Sequence, residues 1–170
     1  MAQGLAYDIN QVARLEGDFL LRSGQRSAHY FDKYRFEADP ALLRRVAARM
    51  LRLLPADAEV LAGLELGGVP IATAMALESG LPAVFVRKQA KTYGTCRAVE
   101  GAEVRGRKAV IVEDVISTGG AVADAAGLLR GEGAELLGVV CAIWRGQGAP
   151  GIGALPDLKV RPAFMEADLA

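Results

Sequence analysis

Histidine occurs once in this chain, at position 29, and cysteine twice, at 96 and 141. Neither the lone imidazole nor the distant thiols have the spacing of a metal site or a disulfide framework. Cys141 lies within an apolar run and reads as core packing. Long hydrophobic runs are also missing. The longest, LLGVVCAIW at 136–144, has nine residues, against roughly 18 for a membrane span. The first residues lack the basic start and apolar stretch of a secretion signal. Charge of one sign is absent too: twenty basic residues balance twenty acidic ones. A general binder of nucleic acid or anionic membrane is usually more basic. A cytoplasmic protein with no nucleic-acid or membrane partner is expected.

What the chain does have is apolar content. It is 52% hydrophobic over 170 residues, enough for one domain (1–170) with a substantial core. Asp8 reads as an acidic cap for a short helix to about Leu15, closed by Gly17. Residues 18–36 read as short strands around a turn at Ser23-Gly24. Asp39-Pro40 starts a helix to about Leu54. Its Arg45, Arg49 and Arg52 read as a solvated face. Beyond it the pattern is regular. Apolar strands at 60–66, 83–87, 109–115 and 136–144 alternate with helices at 69–79 and 120–130. That pattern implies an α/β fold with a parallel central sheet flanked by helices. Ligands of such sheets bind outside the carboxyl ends of the strands. The loops at Gly67-Gly68, after Arg87, at 117–120 and at 146–148 all follow strands, so they should gather at one edge.

The stretch VIVEDVISTGG, 110–120, carries the most chemistry. A buried strand ends in two carboxylates, Glu113 and Asp114, and runs through Val115 and Ile116 into Ser117, Thr118, Gly119 and Gly120. Backbone N–H groups at such a helix start make a nest for a phosphate, to which the hydroxyls add donors. No lysine follows the glycines, so this is not a Walker loop. The acids suit sugar hydroxyls or a hydrated magnesium ion. A sugar phosphate therefore fits. So does a solvated strand end before a capped helix. GQGAPG at 146–151 formally matches GxGxxG, but no helix opens there, and the dinucleotide reading is rejected.

Lysine is scarce, five against fifteen arginines. Yet Arg87, Lys88 and Lys91 fall within five residues of a glycine-punctuated segment. Such a run is commonly a solvated loop. It can also fold over a ligand and exclude water.

VIVEDVISTGG closely resembles the phosphoribosyl-diphosphate (PRPP) signature of the type I phosphoribosyltransferases. RKQAKTYG, 87–94, resembles the mobile catalytic loop of the orotate phosphoribosyltransferases, with Tyr93 where histidine is often found. FLLRSGQRSAHYFD, 19–32, resembles that family's F-x-L-x-S-G-x-x-S-x-x-Y-x-D segment. AGLELGGVPIA, 62–72, is similar to its diphosphate loop, although Leu66-Gly67 carries no charge where many relatives have a lysine or arginine. Trp144-Arg145-Gly146 stands where an arginine meets the carboxylate of the base.

The resemblance implies the type I phosphoribosyltransferase fold, with a small N-terminal hood (about 1–38) and a core (about 39–148). It implies transfer of the phosphoribosyl group of PRPP to orotate, giving orotidine 5′-monophosphate and diphosphate in pyrimidine synthesis. Lys91, Lys88 and Asp114 take catalytic roles. PRPP is bound by Arg87, Lys88, Lys91, Tyr93, Gly67, Gly68 and residues 113–120 (Glu113, Asp114, Val115, Ile116, Ser117, Thr118, Gly119, Gly120). Orotate meets Arg22, Tyr30, Phe31, Thr118 and Arg145. Mg2+ sits near Glu113 and Asp114 through water. The family implies a homodimer sharing the mobile loop. The alternatives are transfer to another base, which an absent carboxylate partner would favour, and a PRPP-sensing RNA-binding regulator, which would need a basic surface.

Overall fold

The computed structural model describes residues 4–21, 23–89 and 97–169. Its centre is a six-stranded sheet in the order β5-β4-β3-β6-β7-β8. The strands are β3 (Val60–Leu64), β4 (Ala83–Val86), β5 (Val99–Gly101), β6 (Lys108–Ile116), β7 (Glu135–Trp144) and β8 (Val160–Met165). All neighbours are parallel except β5, which runs antiparallel to β4. All five residues of β3 are buried. Burial on both faces is why β3, β6 and β7 read as continuous apolar runs.

Helices cover both faces. α5 (Gly120–Gly131) places Val122, Ala125, Ala126 and Leu129 against Ile111, Val139 and Cys141. α1 (Leu5–Ala13), α3 (Pro40–Leu51) and α4 (Gly68–Ser79) pack on the other face around Leu61, Val110, Val112 and Val140. α4 approaches the sheet closely, because Gly63 has no side chain. A Cβ there would lie 2.7 Å from the Gly68 carbonyl and 2.8 Å from Ala72. Asp39 caps α3 by accepting from the amides of Ala41 and Leu42, with Pro40 in the first turn.

Several expectations are corrected. Asp8 lies inside α1, which Gly4 precedes, and its carboxylate pairs with Arg45 at 2.7 Å. Gly17 does not end that helix. It sits in β1 (Arg14–Leu20), which pairs antiparallel with β2 (Arg26–Phe31), and the register shifts between Glu16 and Phe19. Glycine marks an irregular strand there rather than a helix stop. Arg45, Arg49 and Arg52 are exposed, as expected, but Arg45 and Arg49 also make contacts. The Nε of Arg49 donates to the Ala163 carbonyl at 2.9 Å, and its guanidinium lies 4.4 Å from the Phe164 ring centroid. It fastens α3 to β8. That strand lies beyond residue 148, where the sequence pattern fades. Pro162 would demote a central strand, but β8 is an edge and tolerates it. A short α2 (Lys33–Glu37), capped by Asp32, and a 3-10 turn (Glu166–Leu169) were also not foreseen.

Candidate active site

The carboxyl ends of β3, β4, β6 and β7 meet at one edge, as the strand-loop pattern implies. Where β6 ends, the chain turns at Gly119 (φ 80°) into α5. No side chain caps this helix start, so its first amides remain available to an anion. Glu113, Ser117, Thr118, Gly119 and Gly120 line a cleft of about 170 Å³ beside it. Glycine is needed at 119 twice over. Its φ is left-handed, and a Cβ would lie 2.6 Å from Ile152.

Glu113 and Asp114 are unequal, although their sequence suggests two acids facing one ligand. Glu113 lines the cleft. Asp114 is fully buried and lines none of the described clefts. Its Oδ1 accepts from the Val115 amide, and its Oδ2 pairs with Lys33 Nζ at 2.6 Å. The cause is local packing. Gly67 stands so close that a Cβ there would lie 1.7 Å from Asp114 Oδ2. The adjoining Gly68 has the same constraint, with a Cβ 2.4 Å from the Val112 carbonyl. Gly67 is therefore the seat of the buried carboxylate, and Gly68 lies against the backbone of β6.

Glu37, four residues beyond Lys33 on α2, is buried. Burial, then Asp114, pushes the Glu37 carboxyl up to about 9. Burial and the Asp114 charge likewise push Glu113 up to about 9. Burial alone would raise Asp114 as well, but hydrogen bonds from Glu113 and Lys33, with the lysine's charge, hold it below the usual carboxylate range. Lys33 is raised: burial pulls it down, but its bond to Asp114 and the charges around it prevail. The set is one ammonium facing three crowded carboxyl groups, of which Asp114 keeps its charge most readily. Cys141 pairs with Glu113 across β6 and β7. Burial first, then these carboxylates, push its thiol up to about 12, so it is inert packing, as the sequence suggests.

A second cleft, where the resemblance expects the base, is assembled from distant pieces. Tyr30 and Phe31 come from β2, and Arg145 follows β7. Together with Lys33, Val115 and Ser117 they line a cleft of about 280 Å³. The Arg145 guanidinium lies 4.9 Å from the Phe31 ring centroid, and its Nε donates to Glu166 at 2.9 Å. That leaves its outer N–H groups for a ligand carboxylate. Across the edge, the Lys88 amide donates to Glu65 at 3.2 Å. Arg87 and Lys88 line a further cleft between β3, β4 and α5. Arg22, Lys91 and Tyr93 lie outside the described residues.

The family model of the phosphoribosyl transferase domain matches residues 35–157. The orotate phosphoribosyltransferase of Nocardioides sp. is 55% identical over 165 residues, 97% of this chain and 92% of that protein. The chain belongs to the orotate phosphoribosyltransferases. The Pyrococcus furiosus member is 42% identical over 160 residues, covering 90% of this chain and 86% of its own. The orotate phosphoribosyltransferase of Mycobacterium tuberculosis, crystallised with Fe(III) dicitrate, superposes with a TM-score of 0.85 at 30% identity, over 98% of this chain and 97% of that one. The same protein in complex with PRPP gives 0.79 at 27% identity, over 97% and 96%. An orotate phosphoribosyltransferase has to hold a sugar phosphate beside a flat carboxylated base. The phosphate-loop cleft and the Phe31–Arg145 cleft meet at Val115 and Ser117, which line both.

Three residues of this edge escape the sequence motifs: Lys33, Glu37 and Glu166. Lys33 and Glu37 carry a faint signal, an i, i+4 ion-pair spacing just after the aromatic pair. Glu166 carries none, because its relation to Arg145 exists only once β8 has docked.

Proposed function

We propose that the chain transfers the phosphoribosyl group of PRPP to orotate through the following division of labour. The amides of residues 117–120, with the Ser117 and Thr118 hydroxyls, hold the 5-phosphate. Glu113, beside them, meets the ribose hydroxyls. Phe31 and Tyr30 flank the orotate ring, and the free edge of Arg145 grips its carboxylate. Arg22 and Thr118 complete that pocket. A bond then forms from the orotate ring nitrogen to C1 as the C1–oxygen bond to diphosphate breaks. The sugar becomes cationic and the leaving group gathers negative charge. Arg87, Lys88, Lys91 and Tyr93, from a loop that closes over the site, meet that charge where it develops, and the Gly67-Gly68 backbone borders it. Fixing both reactants at one sheet edge supplies much of the acceleration. The observation that carries this reading is the uncapped α5 start, with Glu113 in the same cleft and the Phe31–Arg145 cleft adjoining it.

Magnesium fits in one form only. Among the described residues no group of three His, Cys, Asp or Glu could hold a metal ion. Glu113 Oε1 already accepts from the Asp114 amide at 3.0 Å, and Asp114 is held by Lys33. The residues suit a hydrated ion carried by the substrate's own oxygens and reached from Glu113 through water. It would supply further positive charge against the diphosphate. The hood is the segment from α1 to α2. The enzyme works in the cytoplasm as a homodimer, each mobile loop serving its neighbour's site. Among the described residues no helix is long and apolar enough to cross a membrane.

The test is loss of orotate absorbance on mixing protein, PRPP and magnesium. Wild type should turn over, and Lys91→Ala should lose most of the rate. No turnover by wild type would sink the reading. A Lys91→Ala rate equal to wild type would sink the loop assignment.

A further inference from the structure

Lys33 belongs to none of the family motifs in this sequence, yet it sits where the two halves of the site meet. It follows the Tyr30-Phe31 pair by two residues and lines the base cleft beside Val115 and Ser117. Its side chain is one-third exposed, at 33%. Its ammonium reaches Asp114 Oδ2, 2.6 Å away, a carboxylate only 1% exposed. The same Oδ2 is packed on Gly67, where a Cβ would lie 1.7 Å from it. A side chain at position 67 would have to displace the Asp114 carboxylate. Leu66, next to it, is apolar and exposed. A buried carboxylate without a countercharge is strongly unfavourable. The countercharge here comes from the hood, across the chain from the loop.

We propose that Lys33 is a positioning residue for phosphoribosyl transfer: it locks the Asp114 carboxylate beneath the ribose site by supplying its countercharge from the hood. It thereby ties the base-binding hood to the strand end that carries the sugar phosphate. Glu37, buried on the same helix as Lys33, adds a second hood carboxyl group close enough to feel the Asp114 charge. Lys33 forms no bond to the reacting atoms in this role. Its removal should slow the chemical step more than it weakens orotate binding, because the carboxylate it orients lies on the PRPP side.

The inference rests on the orotate-transfer reading, and the two fail separately. A dead wild type sinks that reading. A live wild type with an indifferent Lys33→Met sinks only this one. The experiment measures kcat and both KM values for wild type, Lys33→Met and Lys33→Arg, with thermal melts to establish the folded fraction. Per folded molecule, Lys33→Met should lose about 10- to 100-fold in kcat, the size seen when a group behind a site ligand is removed. Its orotate KM should stay within about threefold, the sign of an interaction felt mainly in the transition state. Lys33→Arg should recover most of the loss. A purely structural role would lower the melting temperature and leave kcat per folded molecule unchanged, and that result overturns the inference. If Lys33→Met does not fold, Lys33→Gln, which keeps length and a donor, carries the same expectation. Failure of both to fold would make the pair a folding determinant and overturn the inference too.

Discussion

The two ends of this site are built in opposite ways. The end proposed to hold the phosphate is Glu113 with residues 115–122, made mostly of amides, hydroxyls and glycine backbone around the start of α5. The end proposed to hold the base takes Tyr30 and Phe31 from β2, Lys33 from α2, Arg145 from beyond β7, and Glu166 from the 3-10 turn after β8. The difference follows from what each end is proposed to bind. A phosphate has a fixed shape and charge, and backbone donors meet it with little reorganisation. A flat base with a carboxylate needs an apolar face and a guanidinium fork, which only side chains supply. At the phosphate end Gly119 tolerates no added side chain, because its φ is left-handed and a Cβ would meet Ile152.

The sharpest way to break that contrast is Gly119→Ala. The added methyl meets Ile152, and the turn loses its left-handed glycine. A drop of about 100-fold in kcat/KM for PRPP is expected in steady-state kinetics, in the range for lost oxyanion donors. Arg145→Ala should act on the other substrate. Orotate KM should rise by about 30-fold, as for a lost charged hydrogen-bonding partner, with PRPP KM nearly unchanged. An equal rise in both would mean the ends are not separate. Glu166→Gln should move orotate KM only by about two- to fivefold, since an exposed ion pair is worth little and Phe31 still supports the guanidinium.

Protons sharpen the contrast further, because the raised acids sit between the two ends. Glu37 and Glu113 are both pushed from 4.5 up to about 9. Through that window the folded chain holds protons that the unfolded chain has released, so stability falls as pH rises. Asp114 is lowered and contributes with the opposite sign, losing its stabilisation as pH falls below the ordinary value of 3.8. Calorimetric scans of the ligand-free protein should show melting temperature declining from about pH 5 toward pH 9, and Glu37→Gln should flatten that decline. The smallest effect belongs outside the site. Arg49→Ala removes the staple from α3 to Ala163 and Phe164. It should cost about 1 kcal/mol in denaturant titration and leave kcat unchanged.

The strand-loop-helix frame of residues 109–131 was legible in the sequence because its pattern is local. Strands β3, β6 and β7 announce themselves as unbroken apolar runs, and the 113–120 motif fixes its own geometry within one turn. Arg145 and Phe31 could be named from resemblance, and the structure brings them within stacking distance. The remainder depends on contacts between distant segments. Nothing adjacent to Asp114 in sequence says that Gly67 will close over it or that Lys33 will reach it. Asp8 looks like a helix cap until its partner, Arg45 on α3, is seen. β8 hides behind Pro162 and a glycine-rich approach, and only its edge position explains it. Glu166 could not be paired with Arg145 before β8 was placed.

The most direct test of the account is a crystal structure of the protein soaked with PRPP. The 5-phosphate should lie on the amides and hydroxyls of residues 117–120, with Glu113 at the ribose hydroxyls and Lys33 still on Asp114. A sugar phosphate bound anywhere else, with residues 117–120 untouched, would contradict it.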